Sequence, residues 1–551
     1  MSTTPLPVKS TPLTVGELLS YLLPRLSDPE QRQIPSWPPD VFGLMSALVQ
    51  RSGAYSQVLQ EWPRPRWGIP SSEAYSDWAK QLGAEWRTSY IQSQSKPIKI
   101  SPIWDAFIKH SWTLTLETFS NTREQAHNAL LLLALADEAS AGLGTTLGIS
   151  QATVDSKEDL ERWMQILSMP GNDQLPFQQE LHPSRITILG KRRTPQTGLN
   201  VRSLSHHLCA IEGCEAAASW RIDLDLKEKA SSINALLFPW PFQVSPKAFR
   251  SVAATPAEMS NMPETFGFFT YDPEPVADVR IALRQALEIA LDQVDTIHLV
   301  ILPECAVNES EWDDLSDLSK LYGFTLVAGV SRPALSHTEP GLNEVRIRSP
   351  YSMQASQGKH HRWQLDRSQN LTYQLGSRLD PEKRWWEYIS VSKREALIHQ
   401  LNSWLCLMPL ICEDLARPDP VGEIVRSVGP DLVIALLMDG PQLMNRWTAR
   451  NAINLADDPG CSVLTLTSLG MIDLSNTRQT HPRIVPALFK DPINGAQEIA
   501  FPPGAQAAVV TLNRSPRSEW TADGRLDAVS NSCPTLGGIR FLKLNLPTNG
   551  A

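Results

Sequence analysis

Glu304, Lys359 and Cys412 are three residues of this 551-residue chain whose types and placement suit one reaction together. Glu304 closes the run His298-Leu-Val-Ile-Leu-Pro, and Cys412 closes Met408-Pro-Leu-Ile just before Glu413-Asp414. Lys359 stands between them in Gly358-Lys-His-His-Arg-Trp363, 55 residues after the glutamate and 53 before the cysteine. A free thiol has a pKa of about 8.5 and attacks as thiolate, so it needs a base or a cation beside it. Glu304 would be that base. Lys359, with the backbone N–H of Glu413, would stabilise the oxyanion that forms when the sulfur adds to a carbonyl. Once ammonia or an amine has left, the same carboxylate can activate water against the thioester. Singly, each residue has an ordinary structural reading: a packed small hydrophobe, a cap and a solvated cation. Order and context join them.

Strand ends must hold these side chains. Ile297–Leu302, Thr325–Val330, Leu405–Ile411, Leu432–Leu437 and Ser462–Leu466 read as buried strands, and Ala507–Leu512 as the last. Between them, Val279–Val294 has helical apolar spacing with Asp278 placed to cap it, and Leu315–Leu321 is helical as well. Strand and helix alternate at βα spacing, which makes this half α/β, and ligands of open α/β layers meet the protein at strand ends. The first 200 residues read as mainly helical. Thr14 and Glu17 form a capping box before Leu18 and Leu19; Val41 to Val49 carry a helical stripe stopped by Gly53; Asn121 with Glu124 opens a long apolar helix closed by Gly142.

These motifs resemble the nitrilase, or carbon–nitrogen hydrolase, superfamily. There a strand ending in Pro-Glu supplies the base, a lysine precedes a histidine two positions on (here Lys359 and His361), and the nucleophile lies in a strand-end Ile-Cys-x-Asp (here Ile411 to Asp414). Gly429-Pro-Asp431, Arg450-Asn-Ala-Ile-Asn454 and Asp491-Pro-Ile-Asn-Gly495 resemble further family stretches, with Asn454 where the family usually has Glu. The resemblance covers residues 231–515 and implies a nitrilase-like αββα sandwich acting on an amide or nitrile without metal or organic cofactor. It also implies a second active-site glutamate seven residues before a glycine. Counted back from Gly376, that place holds Gln369, which cannot take a proton but can hold Lys359. Arg362 is a second candidate for the oxyanion role, and Asp414 a supporting residue.

The resulting organisation is a mainly helical domain over 1–200, a linker or inter-domain strand over 201–230, the hydrolase domain over 231–515 and a polar tail over 516–551. An oligomer follows from the resemblance, and the helical domain is free to bind a protein partner. The competing expectation is a nitrilase-fold scaffold or signalling protein in a multi-component bacterial system.

Composition narrows the classes. Against 50 Lys+Arg stand 59 Asp+Glu, a formal charge of −9, which lacks the basic footprint of a nucleic-acid-binding surface. The longest apolar run, Ala129–Ala136, is far short of the roughly 20 residues of a membrane helix. Seven scattered cysteines and a polar, Pro-rich start point to a reducing, cytoplasmic compartment. Proline, 43 of 551, exceeds the usual share of about 5% and implies many rigid loops. Lys191-Arg192-Arg193 reads as a solvated loop, and His206, His207, Cys209 and Cys214 lack the paired spacing of a zinc site. Eight of the 17 tryptophans precede residue 200 and read as core packing; Trp363, Trp385 and Trp386 read as pocket wall or as packing.

Overall fold

Alternation of apolar residues in β4 (Ser232–Leu237) sets the layering of the molecule, a computed structural model. It describes residues 12–59, 75–93, 99–143, 177–222, 231–252, 263–273, 277–350, 354–391, 394–402, 404–477, 479–526 and 531–545. Ile233, Ala235 and Leu237 point to one face, where they join Leu299, Ile301 and Val327 and meet a second sheet. Leu236 points to the other, with Val300, Leu302 and Leu326, and meets two helices. Successive strand residues face opposite sides, so this one pattern makes both interfaces.

The first sheet has seven strands in the order β10 (Ala355–Gly358), β9 (Leu342–Arg348), β8 (Thr325–Arg332), β7 (Leu299–Ile301), β4, β19 (Ala507–Arg517) and β20 (Asn531–Leu542). The second, also of seven, runs β18 (Gln497–Ile499), β17 (Ala487–Lys490), β16 (Ser462–Thr467), β15 (Leu432–Leu437), β14 (Leu405–Ile411), β13 (Glu395–Asn402) and β3 (Ala217–Ile222). On the outer face of the first sheet lie α7 (Val279–Leu291) and α8 (Glu309–Tyr322). Ile424 and Val425 of α10 (Gly422–Val428), with Ala449 and Ala452 of α11 (Trp447–Asp457), pack on the second. The layers are therefore helix, sheet, sheet, helix. β14, β15 and β16 are parallel and buried on both faces, which is why they read as continuous apolar runs.

The N-terminal helices are α1 (Val15–Leu22), α2 (Pro38–Ser52), α3 (Tyr75–Ser93), α4 (Ser101–Ser111), α5 (Leu116–Asn121) and α6 (Arg123–Ala139). Thr14 and Glu17 close the expected capping box, and Gly53 ends α2 in the left-handed region at φ 73°. Asn121 does not open the long helix. It ends α5, its side chain donating to Glu117 O at 3.1 Å, and Thr122 stands at the N-cap position of α6 without a side-chain capping bond. Of the tryptophans, Trp86 and Trp104 are fully buried and donate their ring N–H groups to Ser36 O and Arg32 O. Trp62, Trp67 and Trp163 lie outside the described residues.

Two expectations are corrected by long-range ion pairs. Lys191, Arg192 and Arg193 do not form a solvated loop: Arg193 is fully buried, its Nη2 2.8 Å from Asp431, and Arg192 reaches the other Asp431 oxygen at 2.9 Å. Carboxylates more than 200 residues away supply the compensation, so the run itself held no sign of it. Nor is the segment after residue 515 a polar tail, because β20 pairs with β19 along its whole length. Just before it, fully buried Arg525 ties back to α6 through Asp137 at 3.0 Å and Glu138 at 2.6 Å, and to Asp523 at 3.0 Å. Among the described residues no helix is long and apolar enough to cross a membrane.

Removing one member of such a cluster strands buried charge. Arg525→Ala is expected to cost about 3–5 kcal/mol in urea denaturation; a loss below about 1 kcal/mol, the worth of an exposed pair, would contradict this role.

Candidate active site

The chain leaves β7 through Leu302-Pro303 and turns at Glu304 and Cys305, the latter in the left-handed region at φ 51°. Gly329 of β8 makes room for that turn. A Cβ there would lie 2.6 Å from Glu304 Cα, and instead the glycine N–H donates to Pro303 O at 3.1 Å. Lys359 follows β10 immediately and donates its backbone N–H to Asn343 O at 2.9 Å. Cys412 follows β14, with φ 46°, and opens a 3-10 turn over Cys412–Ala416. The N–H groups that open such a turn have no partner within it, and Glu413 N–H is among them.

Glu304 and Lys359 meet: the ammonium donates to Glu304 Oε1 at 2.7 Å, with both side chains 1% exposed. Its second partner is Glu387, which ends β12 (Arg384–Glu387), at 2.6 Å to Oε2. Asn343 bridges the two carboxylates, donating to Glu304 Oε1 and Glu387 Oε1 at 2.8 Å each. Trp363 N–H completes Glu387 at 3.2 Å. Glu304 Oε2 is buried without a hydrogen-bond partner.

Burial pushes the Glu304 carboxyl above its ordinary range; Lys359 opposes this, and the Glu387 charge adds to it. For Lys359 burial works downward, but the two carboxylates outweigh it and hold the ammonium well above its usual pKa. Burial, and then the Glu304 charge, push the Cys412 thiol well up, with Lys359 acting the other way. The Cys412 thiol and the Glu304 carboxyl both have raised proton affinity. Burial thus disfavours a standing thiolate at Cys412.

Asp414 joins the Cys412 turn to the lysine loop. It accepts the backbone N–H groups of His360 and His361, the latter at 3.1 Å, and the His361 ring Nδ1 lies 2.9 Å away. Glu413 points its side chain to Arg417 at 3.2 Å and offers the site only its backbone. Two expected residues lie elsewhere. Gln369 is spent in the capping box of α9 (Arg367–Thr372), its Oε1 accepting Asp366 N–H at 3.1 Å, so the place expected of it beside Lys359 is held by Glu387. The residues between lysine and second carboxylate include a capped helix, so counting back from Gly376 lands on the wrong element. Trp385-Trp386-Glu387, an acidic residue closing an aromatic β-run, was the signal available. Arg362 donates to Ile389 O at 3.0 Å and stacks over Phe268 and Tyr388, away from the ammonium's place. Trp363 flanks the site, 5.9 Å from the Tyr373 ring.

Among the described residues one group of possible metal donors has its ligand atoms within 4.8 Å of one another, Glu304, Cys305 and Glu387. The Lys359 ammonium already pairs with both of its carboxylates. His206 instead faces Thr194 and Arg525 O, at 2.9 and 3.1 Å.

The Glu387 charge raises the proton affinity of Glu304, so its removal has a defined sign. The rate of Cys412 alkylation by iodoacetamide is expected to fall with acid through the raised Glu304 pKa, and Glu387→Gln to move that midpoint to lower pH. An unmoved midpoint would show that the two carboxylates are not coupled.

No protein-family model matches this sequence, and no curated protein does. Among solved structures, the chain is similar to a Saccharomyces cerevisiae member of branch 10 of the nitrilase superfamily, with 14% identity over 52% of this chain and 91% of that one, at a TM-score of 0.32. An amidase from Nesterenkonia sp. has 12% identity over 52% of this chain and 93% of its own, at a TM-score of 0.31. A CN-hydrolase superfamily protein from Xanthomonas campestris has 15% identity over 51% of this chain and 91% of its own, at a TM-score of 0.30. These neighbours, nitrilase-superfamily proteins, each cover about half of the chain.

Proposed function

We propose that the chain hydrolyses a non-peptide carbon–nitrogen bond, as an amidase does, through a thioester on Cys412. The observation that carries the reading is the buried Glu304–Lys359–Glu387 cluster, which leaves one Glu304 oxygen unpartnered near a strand-end thiol. Glu304 Oε2 takes the thiol proton as the sulfur adds to the amide carbonyl carbon. An ammonium has three donors; two of Lys359's are held by carboxylates, and the third, with Glu413 N–H, stabilises the oxyanion. On collapse the C–N bond breaks, and the proton held by Glu304 passes to the leaving nitrogen. Glu304 then takes a proton from water as the oxygen attacks the thioester; the C–S bond breaks, the acid leaves, and the proton returns to sulfur. Glu387 and Asn343 are positioning residues that fix the ammonium.

The test is twofold. Iodoacetamide should modify Cys412 ahead of the other six cysteines, five of which are buried, and a panel of small amides should include one that releases ammonia. Cys412→Ala and Glu304→Gln should each lower that release by at least about 100-fold, the lower range for loss of a general base. Unselective labelling, or full release by Cys412→Ala, would defeat the proposal.

A further inference from the structure

Cys412 and the residues after β15 leave the second sheet side by side, because the two parallel strands are in register to Ile411 and Leu436. Asp439 lies there. After burial, Glu304 and Lys359, it is the next charge to act on the Cys412 thiol. Its carboxylate is held by three neutral donors, Tyr373 OH at 2.6 Å, Gly440 N–H at 2.8 Å and the Trp447 ring N–H at 3.2 Å. The fourth donor is Arg446 Nη2 at 2.6 Å. A carboxylate held from four sides has one fixed place, and so fixes the guanidinium that faces it.

The accessible member of this pair is the cation: the Arg446 side chain is 29% exposed and that of Asp439 10%. Gly440 keeps it in place, since a Cβ there would come within 2.8 Å of Arg446 Nη1. Tyr373 links the pair to the catalytic cluster through Trp363, whose backbone N–H is bound to Glu387. Arg446 is thus a partly solvated guanidinium, fixed by a buried carboxylate whose charge acts on the Cys412 thiol.

We infer that Arg446 reads a carboxylate on the acyl part of the substrate, so that the hydrolysed amide is an anionic one, such as the monoamide of a dicarboxylic acid. This rests on the amidase reading. A guanidinium presents its N–H donors in a plane that matches a carboxylate, and Asp439 keeps that plane from swinging away. Neutral amides would forgo the contact.

Alkylating probes separate the two claims. Iodoacetate and 3-iodopropionate are compared with the matching amides, iodoacetamide and 3-iodopropionamide, at Cys412 of the full chain and at free glutathione. The expected anion-to-amide rate ratio at Cys412 is about tenfold above that at glutathione for at least one chain length, the size of a charge-assisted hydrogen bond. Arg446→Gln should bring the ratio down to the glutathione value, and Arg446→Lys should keep part of it. The wild-type ratio decides without any variant: labelling with no preference overturns the role of Arg446 and leaves the amidase reading standing. No labelling of Cys412 by any reagent overturns both.

Discussion

The ammonium of Lys359, buried between two carboxylates, ties together separate pieces of chain: the turn after β7, the loop after β10 and the end of β12, with β9 supplying the Asn343 bridge. A lone ammonium at this depth would lose its proton, and two carboxylates without it could not both stay ionised. Each member is therefore tolerable only in the presence of the others. The cluster holds two potential negative charges and one positive, and the imbalance falls on Glu304, whose outer oxygen has no partner. The carboxylate whose proton affinity burial raises is also the one the cluster cannot fully satisfy.

Backbone strain is concentrated at the same place. Of the three described non-glycine residues with positive φ, two are Cys305, in the turn that follows β7, and Cys412, directly beyond β14 of the other sheet. Such conformations cost of order 1–3 kcal/mol each and persist where the surroundings enforce them. At the first, Gly329 admits the turn; at the second, Asp414 draws the lysine loop onto it through two backbone N–H groups. Both devices turn the chain sharply as it leaves a sheet.

What the sequence made legible follows from range. Glu304 and Cys412 sit next to strands whose apolar runs are local signals, and the strands Leu405–Ile411 and Leu432–Leu437 have the bounds their apolar runs imply; Lys359 follows the polar strand Ala355–Gly358 and was legible only from its motif. Helices with local caps, at Thr14 and Asp278, were equally legible. Glu387 was hidden because its partner lies 28 residues away across a helix that no family spacing anticipates. The same physics hid the burial of Arg193 and Arg525. A charge is buried only against its compensating charge, and here those are 238 residues off in Asp431 and 387 in Glu138.

Those distant pairs bear on why the helical region and the sheets are built as they are. Arg193 binds Asp431, at the start of β15, and Glu519 lies 3.4 Å away beyond β19; Arg525 binds α6. Buried ion pairs gain little over apolar packing of the same volume, yet breaking one is costly. Their effect is thus less on total stability than on which arrangement is allowed: an apolar contact tolerates sliding, whereas a guanidinium shared between Asp431 and Glu519 does not. Asp431 also accepts the Cys406 N–H at 2.8 Å, in the strand that ends at Cys412. The tie therefore fixes the register of β14, and through it the position of Cys412.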